Sequence, residues 1–125
     1  GEITEPMFAL RLYGTAEDFG VSLEVSFMER KKDEHSLSKQ NRVLELPIQS
    51  PAYYFAQIDG VSQRFEGTEE NRQLLTQQLA VGQVRKVLIK YDIPLSQAAS
   101  REQVLSQLQE AMTALIPFYE ATRVI

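Results

Sequence analysis

Asp18, Glu29 and Lys31 are the residues of this chain whose types and order could do chemistry. Asp18 precedes the segment FGVSLEVSF, and Glu29 and Lys31 follow it in the run ERK. Two carboxylates can hold a divalent cation and a nearby lysine can help to orient a water, which together is the chemistry of metal-dependent hydrolysis. On a strand Glu29 and Lys31 would point to the same side, because side chains alternate with a period of two.

The segment between Asp18 and Glu29 argues against such a site. Residues 21–27 alternate strictly between apolar and polar types, which predicts one extended strand without a turn. Eleven residues of extended chain span roughly 36 Å, whereas two carboxylates that share an ion both lie within about 2–2.6 Å of it. We therefore interpret the segment as a strand. The letters resemble those of metal-dependent nucleases, and a nuclease-like hydrolase that uses Glu29 and Lys31 is kept as the alternative function.

The other residue types that enzymes use give little support to catalysis. His35 is the single histidine and the chain has no cysteine, which excludes disulfides, multi-histidine metal sites and thiol nucleophiles. We interpret His35, in the polar run KKDEHS, as a surface imidazole rather than a general base or a metal ligand. The sequence contains no G-x-S-x-G elbow and no glycine-rich phosphate loop. We predict no catalytic residue, no bound metal and no cofactor, and we favour a protein that is not an enzyme.

Basic side chains crowd the segment after this strand, and two tyrosines follow. The basic residues are Arg30, Lys31, Lys32, Lys39 and Arg42, and the aromatic residues are Tyr53 and Tyr54. Cations contact phosphates and aromatic rings stack on bases, so these seven residues could form a contact surface for nucleic acid or for another partner. Asp33 and Glu34 interrupt the cluster, and a charged loop that maintains solubility is the simpler interpretation.

Size and charge limit what the chain can be. Its 125 residues suit one domain over 1–125, and 43% hydrophobic and 24% charged residues are typical of a folded protein. The formal charge of −4 repels nucleic acid and anionic lipid on average, so such a partner needs a local basic patch. No apolar run reaches the ~18 residues that span a bilayer, and we predict a cytoplasmic protein without a membrane partner. Gly1 at the start and two apolar residues at the end lead us to expect a module of a larger protein.

Strands are predicted at 7–13, 21–27, 42–48, 53–58, 61–66 and 84–93. The evidence is a period of two in the first, second and last of these segments, and β-prone aromatic residues at 53–58. Asp59-Gly60 predicts a tight turn between the fourth and fifth of these segments. Residues 29–41 are nearly all polar and predict a loop with at most one helical turn. Helices are predicted over 68–81 and from a capping box at 100–103 to residue 119.

The boundaries of these helices also have sequence signals. Thr68 is a good N-cap, Gly82 fits a left-handed stop, and Pro117 should kink or stop the last helix. The order β-β-β-β-(β)-α-β-α places strands first and helices later. It predicts an α+β fold with a mainly antiparallel sheet of five to six strands and two helices packed on one face.

The C-terminal helix has a broad apolar stripe; covering a sheet explains most of it, and the rest is a surplus. Its stripe runs from Val104 to Tyr119, and Ile116, Phe118 and the tail at 124–125 add to it. We expect this surplus to pair with a second subunit or a neighbouring domain. The leading prediction is therefore a non-catalytic recognition or interaction domain, with its specificity in residues 29–42 or in the strand at 53–58.

Overall fold

The computed structural model describes residues 6–27, 34–96 and 100–123. The strands are β1 (Pro6–Gly14), β2 (Phe19–Phe27), β3 (Tyr53–Ile58), β4 (Val61–Glu66) and β5 (Val84–Pro94). The α-helices are α1 (Glu34–Gln40), α2 (Glu69–Ala80) and α3 (Arg101–Arg123), and a 3₁₀ helix covers Asn41–Glu45. These elements confirm the α+β class.

All five strands belong to one antiparallel sheet in the order β1-β2-β5-β3-β4. β1 and β2 form one hairpin and β3 and β4 form another, each from strands that are neighbours in the sequence. β5 lies between the two hairpins. The turn at Asp59-Gly60 closes the second hairpin as predicted. Its φ angles of +52° and +80° fit a type I′ turn, which requires positive φ at both central residues.

The helices pack on one face of the sheet, and the core lies between them and the strands. Leu23 of β2, Tyr54 of β3 and Ile89 of β5 are at most 2% exposed. Leu75 of α2 and Leu115 of α3 enclose this core from the helix side and are both fully buried. The packing of the described helices against one side of the sheet explains the alternation of apolar and polar residues in the strands. We call this side the covered face.

The segment 42–48 is not a strand, so that prediction was wrong. Residues 41–45 form the 3₁₀ helix, in which the consecutive residues Val43 and Leu44 are both buried in the core. Successive residues of a strand point to opposite faces, so a strand could not place both side chains in a core on one side of the sheet. The preceding helix α1 lies where we expected mainly a loop, and it makes a third helix.

Gln40 and Asn41 fill the place where β2 and β5 diverge. The pairing of β2 with β5 reaches no further than Val25. Beyond this point the Gln40 amide donates to the carbonyl oxygens of Val25 and Val87, at 3.2 and 3.1 Å. The Asn41 amide accepts from the Val87 N–H at 2.9 Å and donates to the Arg85 carbonyl at 3.1 Å. Side-chain amides thus satisfy backbone groups that no neighbouring strand reaches.

The predicted ends of α2 are confirmed. Thr68 is its N-cap, and the Thr68 hydroxyl accepts a hydrogen bond from the Asn71 N–H at 3.2 Å. Capping of this kind satisfies a backbone donor that the first helical turn leaves unpaired. Gly82, just beyond the helix, has a φ of +83°. Glycine adopts this left-handed conformation without steric cost, which is why it commonly follows helices.

α3 does not stop at Pro117 but continues to Arg123. Phe118 and Thr122, which follow the proline, are 5% and 0% exposed. Their packing holds the last turns in place although Pro117 lacks the N–H that a helix normally uses. None of the described helices, α3 included, combines the length and the apolar content that crossing a membrane requires.

Candidate functional site

The sheet has a second face, which none of the described helices covers. Residues opposite each other in neighbouring strands share a face, so the strand registers define its membership. We call it the uncovered face. Its charged and aromatic residues are Arg11, Tyr13, Glu24, Tyr53, Phe55, Arg64, Glu66, Lys86, Lys90 and Asp92.

Arg11 and Glu24 form an ion pair where β1 meets β2. The Arg11 Nε donates to Glu24 Oε1, and the Arg11 side chain is 65% exposed whereas that of Glu24 is 1% exposed. Glu24 Oε2 is buried and has no hydrogen-bond partner among the described residues. Burying a carboxylate is strongly unfavourable unless a cation accompanies it. The Arg11 guanidinium therefore stabilises a charge that the sheet has taken out of water.

Asp92 of β5 is the centre of a second charged cluster. The Tyr53 hydroxyl donates to Asp92 Oδ1 at 2.7 Å, and Arg64 donates to Asp92 Oδ2 at 3.4 Å and to Glu66 Oε1 at 2.9 Å. The Arg64 guanidinium carbon also lies 3.8 Å from the centroid of the Tyr53 ring, at the distance of a cation–π contact. The hydrogen bond to Glu66 is the main cause that raises the pKa of Arg64.

Two tyrosines of the uncovered face have raised pKa values. Burial, followed by the hydrogen bond to Asp92, raises the pKa of Tyr53 to about 12. Burial first, and then the charges of Asp92 and Asp18, raise the pKa of Tyr13. Tyr13 lies so close to Gly20 that a Cβ at Gly20 would be 2.5 Å from the Tyr13 hydroxyl oxygen. Raised pKa values keep both phenols neutral near pH 7, so neither acts as a base.

A β-bulge in β5 turns two consecutive basic side chains toward one cavity. Gln57 of β3 pairs with Lys86, but the next residue of β3 pairs with Val84, so Arg85 is the extra residue. Bulges re-aim the side chains beside them. Arg85 and Lys86 both line a cavity of about 240 Å³, together with Phe55, Gln57, Ser62 and Leu88. Arg85 donates to Gln57 Oε1 at 3.2 Å across it.

The uncovered face is positive although the chain as a whole is acidic. Lys90 Nζ lies 4.4 Å from the centroid of the Phe55 ring, so this ring has a cation–π contact as well as a place in the lining of the cavity. Among the described strand residues, and with the bulge residue included, this face bears five basic side chains, which are Arg11, Arg64, Arg85, Lys86 and Lys90, and three acidic ones, which are Glu24, Glu66 and Asp92. Each of the three carboxylates is engaged by an arginine. Cations around an aromatic ring suit an anionic ligand with flat rings.

The seven residues predicted to contact a partner are placed in different surroundings. Tyr53 lies on the uncovered face and is 6% exposed, and its neighbour Tyr54 points into the core and is 0% exposed. Lys39 of α1 is 6% exposed, and Arg42 of the 3₁₀ helix is half-buried and has contacts of its own. Arg30, Lys31 and Lys32 lie outside the described residues. Their role as contact residues stays a prediction.

The prediction that residues 21–27 form one extended strand, which argues against a hydrolytic site, is confirmed. β2 is continuous from Phe19 to Phe27 and pairs with β1 along its full length, so Asp18 lies at one end of a nine-residue strand. Glu29 and Lys31 are outside the described residues, as is the side chain of His35. Within the described part of the chain, no three His, Asp or Glu residues are grouped closely enough to hold a metal ion.

The cavity at the bulge was not predicted from the sequence. The sequence does indicate some of the residues near it. The alternation in β5 places Lys90 and Asp92 on one face, and a hairpin turn at Asp59-Gly60 places Arg64 opposite Phe55. The bulge itself has no such signal. In an unbroken strand Arg85 and Lys86 would point to opposite faces.

The chain was also compared with known proteins. No protein-family model, no curated protein sequence and no solved structure matches it.

Proposed function

We propose that this chain is a non-catalytic recognition domain that binds single-stranded nucleic acid on the uncovered face of its sheet. The observation that carries the proposal is the cavity at the bulge, where Arg85 and Lys86 lie beside the ring of Phe55. Cations contact phosphates without regard to sequence, and an aromatic ring offers a stacking surface of about 1–3 kcal/mol for each base. The cavity unites both kinds of group.

The rest of the uncovered face supports an extended ligand. Arg64 of β4 and Lys90 of β5 flank β3 on its two sides, and neighbouring strands lie about 4.8 Å apart. A single strand that crosses the sheet could contact successive phosphates with successive cations. The carboxylates on this face are engaged by arginines, so they repel an approaching phosphate less than unpaired carboxylates would.

The overall charge of −4 sets the expected strength of binding. Long-range repulsion opposes the contacts at the cavity, so we expect weak binding that salt reduces further. Each phosphate contact contributes about −0.7 to the slope of log K against log salt concentration for a single strand. Two to four contacts predict a slope between roughly −1.4 and −2.8.

Fluorescence anisotropy with labelled DNA and RNA strands of about 12 nucleotides tests the proposal. Arg85→Glu with Lys90→Glu should weaken binding at least about tenfold and make its salt dependence shallower, because two phosphate contacts are lost. Phe55→Leu removes the aromatic face and keeps most of the packing volume. It should weaken binding several-fold and leave the salt slope unchanged.

Arg101→Glu with Arg123→Glu is the matched control. Both arginines are exposed on α3, away from the uncovered face, and this pair changes the net charge by the same amount. It should alter binding only slightly. If it weakens binding as much as the pair at Arg85 and Lys90, or if no strand binds at about 50 mM salt, the proposal is wrong. Equal competition by polyglutamate would show that anionic charge alone is recognised, which also contradicts it.

A further inference from the structure

The two edges of the sheet differ in how well they are protected. β4 is six residues long and carries Arg64 and Glu66. β1, at the other edge, is nine residues long, and its one charged residue, Arg11, is paired with Glu24. Edge strands present unpaired backbone N–H and C=O groups, and short strands with charged side chains discourage other chains from pairing there. β1 has little protection of this kind.

β1 also exposes large apolar side chains. Leu10 and Leu12 are 58% and 83% exposed. Both belong to the covered face, because they lie opposite Leu23 and Val21 of β2, yet the described helices leave them accessible to solvent. Exposed leucines on an edge strand are typical of a surface at which another chain binds.

The side of α3 nearest to β1 continues this apolar surface. The ring of Tyr119 stacks on Phe8 of β1 with centroids 4.9 Å apart, so this side of the helix lies against the edge strand. Ile116 lies one turn before Tyr119 and is 41% exposed, and Leu105, about three turns before Ile116, is 53% exposed. Exposed apolar side chains therefore lie both on β1 and on α3, and the Phe8–Tyr119 contact joins the two elements; we call these residues together the apolar strip.

We propose that this strip is the interface of a homodimer, in which β1 pairs antiparallel with β1 of a second copy and the two sheets join into one. Leu10 is the midpoint of Pro6–Gly14, so a two-fold axis there pairs the whole strand with its equivalent. Leu10 then lies opposite Leu10 of the second copy, and Phe8 lies opposite Leu12. Leu105 and Ile116 line the space between the two α3 helices.

The charge of Arg11 favours this register and this partner. Centred on Leu10, the pairing places Arg11 opposite Ala9 of the second copy. Centred on Arg11, it would place two arginines opposite each other, which is unfavourable. In this register the apolar residues of β1 lie opposite apolar residues of the second copy, and its single charged residue lies opposite an uncharged one. Two-fold symmetry forms each of these contacts twice. This self-complementarity is the reason for a second copy as the partner.

Sedimentation of the whole chain over a range of concentrations tests the dimer. At tens of micromolar we expect a species of twice the 14.2 kDa of one chain. Leu12→Lys should raise the dissociation constant of the dimer at least about tenfold, because it places an ammonium group in the apolar strip. Leu12 is 83% exposed, so the monomer keeps its fold, which circular dichroism verifies. Val61→Lys is the matched control, since Val61 is 59% exposed on the opposite edge strand, and it should leave the dimer intact.

Cross-linking tests the register. The chain has no cysteine, so a single introduced cysteine reports on one position. Leu10→Cys should form an interchain disulfide on oxidation, because opposite residues of an antiparallel pair lie about 4.5–5.5 Å apart at Cα, within disulfide reach. Leu12→Cys should not, because the two copies of residue 12 are offset by four residues, or about 14 Å.

The proposal is wrong if the unmodified chain remains a monomer at these concentrations, or if Val61→Lys weakens a dimer more than Leu12→Lys does. It is also wrong if Leu12→Cys cross-links more readily than Leu10→Cys. This interface does not include the cavity at the bulge, so each proposal is tested without the other.

Discussion

The two faces of the sheet differ most clearly at Tyr53 and Tyr54, which are neighbours in β3. Tyr54 is fully buried in the core, and its hydroxyl has no hydrogen-bond partner among the described residues. Tyr53 points to the uncovered face, where its hydroxyl donates to Asp92 and its ring lies under Arg64. A single step along the strand thus separates a side chain held by packing from one held by polar contacts.

The two faces of the sheet are suited to different tasks. On the covered face Leu23, Ile89 and Leu115 exclude water from a continuous apolar core, and burial of this kind is the main source of folding stability. On the uncovered face Arg64 pairs with Asp92 across strands, and a pair of this kind contributes little to stability because both side chains are partly solvated. Polar groups that are fixed in position but not needed for folding can contact a partner.

Removing apolar volume on the covered face should lower the free energy of unfolding more than any other change proposed below. Leu115→Ala should lower the free energy of unfolding by about 3 kcal/mol, because Leu115 is fully buried and its loss leaves a cavity. Leu88→Ala, at a half-buried position that lines the cavity on the uncovered face, should cost about 1 kcal/mol. Urea unfolding of the two variants measures the difference. Equal losses would contradict the division between the faces.

A smaller effect with opposite signs is expected at the two tyrosines. Tyr53→Phe removes a hydrogen bond to a carboxylate and should lower the free energy of unfolding by about 1–2 kcal/mol. Tyr54→Phe removes a buried hydroxyl without a described partner and should leave stability unchanged or raise it by up to about 1 kcal/mol. Thermal and urea unfolding of both variants provide the measurement. A larger loss at Tyr54 than at Tyr53 would show that the Tyr54 hydroxyl is hydrogen-bonded after all.

The smallest effect is a difference in alkaline stability. Burial raises the pKa of Tyr53 to about 12 from its ordinary value of 10.0, so the folded protein keeps a proton that the unfolded chain loses between these values. The contribution of Tyr53 to the free energy of unfolding is therefore fully present below pH 10. It is lost as pH rises toward 12, by about 1.4 kcal/mol per pH unit. Tyr53→Phe removes one titrating group, so stability should fall less steeply with rising pH than in the unchanged protein. Urea unfolding between pH 9 and about 11.5 checks the slope, and an unchanged slope would contradict the raised pKa.

The sequence predicted those parts of the fold that depend on neighbouring residues. The alternation in β2 is visible because one side of that strand is apolar and the other polar, and the caps of α2 are visible because Thr68 and Gly82 act locally. The same logic failed at residues 42–48. Val43 and Leu44 have strand-forming types, but both are buried against the helix side of the core, and this tertiary packing overrides β propensity.

The candidate site depended on arrangements that one strand cannot reveal. Consecutive residues of a strand point to opposite faces, but that Tyr54 and not Tyr53 enters the core depends on which side of β3 the helices cover. The cavity depends on the bulge at Arg85, which is a mismatch in length between two paired strands. A single sequence does not show which residue of one strand lacks a partner in the neighbouring strand.

The position of β5 between the two hairpins has a consequence for how the chain reaches its native state. Each hairpin joins strands that are adjacent in the sequence and can close within about 1–10 μs. β5 can pair with β2 only after the intervening segment of more than fifty residues has closed into a loop. Closing this loop costs conformational entropy before any stabilising contact between the two strands has formed. We therefore expect the slowest folding step to be the insertion of β5 between two preformed hairpins. Substitutions in the β1–β2 turn, whose contacts are already formed when β5 inserts, should then change mainly the rate of folding, whereas substitutions in β5 should change the rates of both folding and unfolding.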